Sequence, residues 1–236
     1  MDAPLPDGLT ERWETFLSTA ESTARGSESG VCDAVFEDGM LFPLQRRDEM
    51  AAMLRLAVLL NPEAVCEIGV DKGASALHWL LLRTVRRFVG IEIRGVPYGD
   101  AFKRAFPETH QLWLAASSYA PETVRVVGDW LGDEMFDVLF IDGDKSAFIR
   151  DFDAYLRYVR SGGIVFMHDV RDAAPRIDFE RARLHPRVRD SLVLESTIES
   201  LYAIYRARQG VAPANAYEGW LRHWRGASCG VGILWV

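Results

Sequence analysis

Residues 65–75, Val-Cys-Glu-Ile-Gly-Val-Asp-Lys-Gly-Ala-Ser, decide the fold. The apolar residues before Gly69 predict a buried strand, the two glycines predict a tight turn, and the apolar run to Leu82 predicts a helix. Glycine tolerates a positive φ and lets a ligand approach the backbone closely. Free N–H groups at the start of a helix suit a carboxylate or a phosphate. Strand, glycine turn and helix in this order open doubly wound α/β folds that bind nucleotides.

The composition is that of an ordinary globular protein with an acidic balance. Its 236 residues suffice for one large α/β domain or two small domains. The net charge of −7 argues against a nucleic-acid partner, because such binding relies on clustered Lys and Arg. We see no secretory signal and no apolar run near the ~20 residues of a membrane span. The three cysteines lack paired spacing, which fits a reducing compartment. We therefore expect a cytoplasmic protein, and the short apolar runs predict no membrane partner.

Further apolar segments extend the predicted sheet. We predict strands at 87–92, 124–130, 136–141, 164–167 and 230–236, at least one strand within 191–206, and helices at 99–119 and 147–159. The nearly continuous apolar run of the fourth strand suits a central parallel position that is covered on both faces. The predicted fold is therefore α/β, with a doubly wound, mostly parallel seven-stranded sheet.

Polar residues follow several of these strands, where ligands bind in open α/β sheets. Glu92 ends the second strand, about 20 residues after the glycine turn, and an acid there can accept hydrogen bonds from ribose hydroxyls. Asp129 could bind an adenine amino group and Trp130 could lie against the base, although a buried structural tryptophan is an equal alternative. The fourth strand ends in residues 142–145, Asp-Gly-Asp-Lys, and the fifth ends in His168-Asp169.

The turn has the form Glu67-x-Gly69-x-x-x-Gly73 and lacks the middle glycine of the dinucleotide fingerprint. The ordered set of this turn and the polar strand ends resembles class I S-adenosylmethionine-dependent methyltransferases over roughly residues 60–170. Within that class it is similar to the metal-dependent small-molecule O-methyltransferases, such as the catechol and caffeoyl-coenzyme A enzymes. Residues 39–45 and 142–144 also resemble a bacterial group related to the cephalosporin-biosynthesis and macrolide sugar O-methyltransferases.

The resemblance implies a cofactor role, with S-adenosylmethionine as the cofactor, for one set of positions. The loop that holds its methionine end matches Glu67, Gly69, Val70, Gly73 and Ser75, with Asp142 beside it. The ribose acid matches Glu92, and the adenine-side turn matches Gly128, Asp129 and Trp130.

The resemblance also implies a metal and a base. Asp142 matches a metal ligand of the metal-dependent branch, which takes Mg²⁺ or Mn²⁺, and Lys145 matches its catalytic lysine. His168 and Asp169 fall where that branch carries an Asp-Asn, Asp-Asp or Glu-Asp pair, so His168 departs from the pattern. The candidate metal ligands are Asp142, His168 and Asp169. Imidazole is a poor ligand for Mg²⁺ and suits Mn, Fe or Zn better.

Three alternatives for His168 stay open at this point. It can point away and leave Asp142 and Asp169 as the metal pair, it can be the general base, or the site can hold no metal. Lys145 could accept the proton of the methyl acceptor if a metal and burial depress its pKa. The alternative is a surface lysine that pairs with Asp144.

The resemblance predicts the O-methylation of a small hydroxylated molecule such as a sugar, a polyketide or a phenol. We expect residues 1–60 to form a helical cap and 61–236 the catalytic domain, with 171–225 as a substrate-side elaboration. Oligomeric state is open, and a homo-oligomer fits. Two other functions compete: a nicotinamide-dependent oxidoreductase and a catalytically silent protein that retains the cofactor pocket.

Overall fold

The structure is a computed structural model that describes residues 45–194 and 229–236. The strands within these ranges are β1 (Ala64–Ile68), β2 (Arg87–Glu92), β3 (His110–Ala115), β4 (Phe136–Ile141), β5 (Val159–His168), β6 (Asp190–Leu194) and β7 (Val231–Trp235). They form one sheet in the order β3-β2-β1-β4-β5-β7-β6. β7 runs antiparallel to both of its neighbours, and the remaining pairs are parallel. The predicted mostly parallel sheet is confirmed.

Helices cover both faces of this sheet. They are α1 (Arg47–Val58), α2 (Ala74–Leu80), α3 (Gly99–Ala105), α4 (Pro121–Leu131), α5 (Phe148–Tyr155) and α6 (Ala173–Ala182), and a short 3₁₀ turn follows α5. Successive residues of a strand point to opposite faces. Val138 and Phe140 therefore pack in one core with α1, α2 and α3, whereas Leu139 and Ile141 pack in a second core with α4, α5 and α6. In the ranges described, we find no helix with the length and apolar character to cross a membrane.

The prediction for the third strand is wrong. Residues 124–130 lie in α4, and the third strand is β3, inside the segment predicted as a helix at 99–119. Pro121 is the first residue of α4, a position that needs no N–H donor and suits the fixed φ of proline. Val124, Val127 and Leu131 then share one buried face at helical spacing. Helix α3 ends before Pro107, which frees the residues that follow to join the sheet edge.

Other boundaries moved by smaller amounts. The predicted helix at 147–159 shortens to α5, and β5 begins several residues before the predicted 164. β6 lies at the start of the segment 191–206, whose remainder is outside the described residues. Of the helical cap predicted at 1–60, residues 1–44 are also outside them.

The turns after β1 and β4 lie directly against each other. The Asp142 N–H donates to the Ile68 carbonyl over 2.8 Å, and the Gly69 N–H donates to the Ile91 carbonyl over 2.8 Å. Gly69 has a φ of +86°, and a Cβ at this position would lie 2.2 Å from the Asp142 carbonyl oxygen. Glycine is required at Gly69 because of both its backbone conformation and this close approach.

We expect Gly69→Ala to lower the free energy of unfolding by roughly 1–3 kcal/mol more than Gly95→Ala, because the added methyl group must displace the Asp142 backbone. Gly95 is a matched control, since its φ is +81° and an added Cβ would meet only the Ala115 Cβ at 3.3 Å. Urea denaturation of both variants measures the difference. Equal losses would show that the close approach costs nothing.

Candidate active site

A cavity of about 540 Å³ opens at the carboxyl ends of the parallel strands. It is lined by residues 68–72 after β1, 91–94 at β2, 116–119 after β3, 142–145 after β4 and 168–169 at β5, together with Gln45, Ala74, Ser75 and Cys229. This is the edge of the sheet where open α/β folds bind ligands. The volume is that of a site for a small molecule or cofactor.

The first turn contains a fully buried acid. Glu67 has no exposed surface and accepts a short hydrogen bond from the Ser75 hydroxyl at the start of α2. Burial raises the pKa of Glu67 to about 8, an effect that Ser75 opposes and that the nearby Asp142 carboxylate reinforces. Glu67 therefore carries a proton at neutral pH and lies beneath the glycine turn, while Ser75 itself lines the cavity.

Glu92 holds the neighbouring turn in place. Its carboxylate accepts the Asp71 N–H over 3.1 Å and the Arg94 N–H over 3.3 Å. These contacts tie the end of β2 to the glycine turn after β1. Asp71 and Glu92 both line the cavity, and the ribose contact of Glu92 stays a prediction.

The predicted adenine-side turn is wrong. Gly128, Asp129 and Trp130 lie on α4 and are not among the residues that line the cavity. Gly128 packs against the Tyr158 ring instead, and Trp130 stacks on His110 with ring centroids 4.7 Å apart.

Residues 116–119, Ala-Ser-Ser-Tyr, follow β3, the third strand of the structure, and line the cavity where the predicted turn at 128–130 does not. Asp151 on α5 accepts the Ser118 hydroxyl over 2.5 Å, and the Tyr155 hydroxyl donates to the Ser118 carbonyl over 2.8 Å. Burial raises the pKa of Asp151 to about 7. Pro121 after a short polar stretch was the available sequence signal for this turn.

His168 lies at the centre of a cluster of acids at the other end of the cavity. Its Nδ1 is 3.2 Å from Asp142 Oδ1 and 3.3 Å from Asp169 Oδ1, and its Nε2 is 3.4 Å from Glu49 Oε2. The second oxygen of Asp142 accepts the Gln45 amide over 2.7 Å, and the second oxygen of Asp169 pairs with Lys145.

Charge governs the protonation of this cluster. Burial alone would lower the pKa of His168, but the Asp142 carboxylate and hydrogen bonds to the surrounding acids raise it well above its ordinary value. Burial would likewise raise the pKa of Asp169, but His168 and Lys145 hold it well below its usual range. His168 does not point away from the acids, which contradicts that alternative of the sequence analysis.

Lys145 fits neither alternative of the sequence analysis, a base with a depressed pKa or a surface lysine that pairs with Asp144. It pairs with Asp169 rather than Asp144, whose carboxylate accepts the hydroxyl and the N–H of Ser146. Burial would lower the pKa of Lys145, but the hydrogen bond and charge of Asp169 raise it. The protein neighbours of Lys145 therefore do not supply the depressed pKa on which its role as a base depends, and Lys145 presents an ammonium group to the cavity.

Gln45 and Glu49 were not found by the sequence analysis. Glu49 belongs to the first turn of α1, has no exposed surface, and accepts the Gly230 N–H over 3.0 Å. Neither residue follows a strand, and each reaches its partner from far along the chain. Gln45 ends the segment 39–45 that carried a resemblance but was given no role, and no motif marks Glu49.

Comparison with known proteins identifies the central part of the chain. The family model described as a methyltransferase domain matches residues 66–170. Over this segment the chain is similar to that family. No curated protein matches the chain.

Solved structures extend the comparison to the whole fold. The O-methyltransferase from Bacillus cereus in complex with SAH is 16% identical, with a TM-score of 0.54 over 100% of this chain and 94% of that chain. The O-methyltransferase TomG from Streptomyces achromogenes, involved in tomaymycin synthesis and in complex with SAM, is 16% identical, with a TM-score of 0.54 over 96% and 98%. A cofactor-bound protein from MTB is 16% identical, with a TM-score of 0.59 over 99% and 98%. At these identities the likeness shows the fold.

The donor atoms of the acid cluster fit a divalent metal ion. One atom each from Asp142, His168 and Asp169 can be chosen so that all lie within 4.8 Å of one another. One imidazole and two carboxylates form a mixed nitrogen and oxygen set, which suits Mn²⁺, Fe²⁺ or Zn²⁺ better than Mg²⁺.

We expect Glu67→Gln to flatten the dependence of stability on pH. A carboxyl whose pKa is raised to about 8 keeps its proton in the folded state, whereas in the unfolded chain it titrates near ~4.3. The folded state thus binds one more proton, and stability falls by about 1.4 kcal/mol per pH unit between these values. Urea denaturation between pH 5 and 8 measures the slope, and exposed Glu108→Gln is the control. Parallel slopes for wild type and Glu67→Gln would contradict the prediction.

Proposed function

We propose that the chain is an S-adenosylmethionine-dependent O-methyltransferase that acts on a small hydroxylated molecule. The charge of the cavity is the observation that carries the proposal. Its lining holds five acids, Asp71, Glu92, Asp142, Asp144 and Asp169, and four basic groups, Lys72, Arg94, Lys145 and His168. A sulfonium cofactor with an ammonium group complements these acids, and the turn lacks the middle glycine that lets the backbone approach the pyrophosphate of a dinucleotide. The neighbours in complex with SAM and SAH support the same choice of cofactor.

In this proposal, each turn of the cavity contacts a different part of the cofactor. Glu92 would accept the ribose hydroxyls, because its carboxylate is already fixed at the end of β2 by backbone N–H groups. The glycine turn and Ser75 would hold the methionine end. Ile93, with 70% of its surface exposed at the cavity, and residues 117–119 would contact the adenine.

Calorimetric titration with S-adenosylmethionine, S-adenosylhomocysteine and NAD tests the cofactor. We expect the first two to bind and NAD not to bind. Glu92→Ala should weaken binding by about 10–100-fold, because charged hydrogen bonds contribute about 1.5–3 kcal/mol. Asp129→Ala is the matched control, since Asp129 is exposed on α4, and it should leave affinity unchanged. Binding of NAD alone would favour the oxidoreductase instead.

Methyl transfer needs an acceptor oxygen that has lost its proton. The cofactor supplies the reactive methyl group, and the protein supplies alignment and electrostatics. The half-exposed Lys145 ammonium is held by Asp169 at the cavity, where it can stabilise negative charge on the acceptor oxygen. His168 and Asp142 belong to the same cluster, and His168 lies beside the Asp169 carboxylate that holds Lys145. A divalent ion held by Asp142, His168 and Asp169 would supply Lewis acidity to that oxygen.

We expect Lys145→Met to lower turnover by about 10²–10³-fold, the usual loss when one donor to a developing oxyanion is removed. Affinity for S-adenosylhomocysteine should stay within twofold. A panel of phenols, catechols, sugars and polyketides, read by the mass of the methylated product, measures turnover. Lys103→Met, on the exposed surface of α3, is the control.

Two results would count against this role. Full turnover by Lys145→Met would remove Lys145 from the reaction. Cofactor binding by wild type with no product from any acceptor would favour a silent binding protein. A small-molecule acceptor and a cytoplasmic location are parts of the same proposal.

A further inference from the structure

Glu49 is held from two sides beneath the acid cluster. One carboxylate oxygen accepts the Gly230 N–H over 3.0 Å, and the other lies 3.4 Å from His168 Nε2. The side chain is fully buried, so solvent does not compete for either oxygen. The Gly230 N–H, just before β7, therefore orients the Glu49 carboxylate.

The opposite ring nitrogen faces two further acids. His168 Nδ1 lies 3.2 Å from Asp142 Oδ1 and 3.3 Å from Asp169 Oδ1. A bare lone pair on Nδ1 would face two carboxylate oxygens, which is repulsive, so a positive species must lie between them. That species is a proton on Nδ1 or a metal ion bound by all three groups.

The spacing of these atoms suits a metal ion. Ligand atoms at about 2.0–2.2 Å from a divalent transition metal lie roughly 3.0–3.4 Å apart when they are neighbours in its coordination shell. The two distances from Nδ1 fall in that range. Gln45 and Lys145 hold the remaining oxygens of Asp142 and Asp169, so each carboxylate offers one oxygen.

We infer that Glu49 is the positioning residue of this site: it accepts the Nε2–H of His168 and thereby leaves Nδ1 to bind a transition-metal dication together with Asp142 and Asp169. Metal-bound histidines commonly donate their other N–H to a carboxylate, which fixes both the tautomer and the ring orientation. The inference rests on the metal site of the proposed function and adds a residue that makes no contact with the metal. It also predicts a preference for Mn²⁺ over Mg²⁺, because imidazole is a poor Mg²⁺ ligand.

Metal titration of the full chain, stripped with a chelator, tests the inference without any turnover. We expect calorimetry to show one Mn²⁺ per chain, bound at least about tenfold tighter than Mg²⁺. Glu49→Gln places an amide N–H toward Nε2, so the ring carries its proton on Nδ1 and loses that lone pair. Mn²⁺ affinity should fall by about 10–100-fold, the usual loss when an outer-shell partner is removed. Glu49→Asp keeps a carboxylate and should recover part of the loss, and exposed Glu108→Gln should bind as wild type does.

A spectroscopic readout on wild type keeps the test valid if Glu49→Gln does not fold. Electron spin-echo modulation of bound Mn²⁺ should show a directly coordinated imidazole nitrogen, and His168→Asn should abolish that coupling. Three results would overturn the inference: no Mn²⁺ binding by wild type, bound Mn²⁺ without the nitrogen coupling, or wild-type affinity in folded Glu49→Gln. S-adenosylhomocysteine binding, measured in parallel, separates this failure from that of the proposed function, since the metal cluster can fail while the cofactor still binds.

Discussion

The pairing of β1 with β4 is the constraint on which the site depends. Ile68 and Ile141 are partners in the parallel register, and the Asp142 N–H continues that ladder by one bond to the Ile68 carbonyl. The two strands therefore end at the same level, and Gly69 lies against the Asp142 backbone with no room for a side chain. The cofactor-side turn and the acid cluster are thus held by one backbone contact. Displacement of either turn would move both halves of the cavity.

The buried acids of the site differ in protonation state. Glu67 is enclosed with the Ser75 hydroxyl as its hydrogen-bond partner and keeps its proton, so it is a neutral support under the glycine turn. Asp169 is enclosed beside Lys145 and His168 and stays ionised. Glu67 and Asp169 thus differ in charge because the groups that surround each carboxyl differ. Negative charge is concentrated at the end of the cavity where the methyl acceptor is proposed to bind.

The sequence predicted the parts of this fold that local chemistry determines. The strand, glycine turn and helix around Gly69 and the buried β4 are determined by residues close together in the chain, and both were found. Residues 124–127, Val-Arg-Val-Val, favoured a strand by composition, but Pro121 and the spacing of Val124, Val127 and Leu131 select a helix. Glu49 could not be predicted, because its contact with Gly230 spans 181 positions and only the assembled sheet creates it.

Backbone strain at the end of β5 shows how closely the acid cluster is constrained. Asp169 adopts a φ of +55°, a conformation that costs a residue with a side chain of the order of 1–3 kcal/mol. The next N–H, from Val170, donates to the Gly230 carbonyl, while the Gly230 N–H binds Glu49. The left-handed turn at Asp169 and the buried acid from α1 are therefore joined through one glycine. A residue strained in this way persists only where its surroundings fix it, and here they fix its carboxylate beside His168 and Lys145. We attribute that cost to the chemistry of the cluster, because strained residues are concentrated at functional sites.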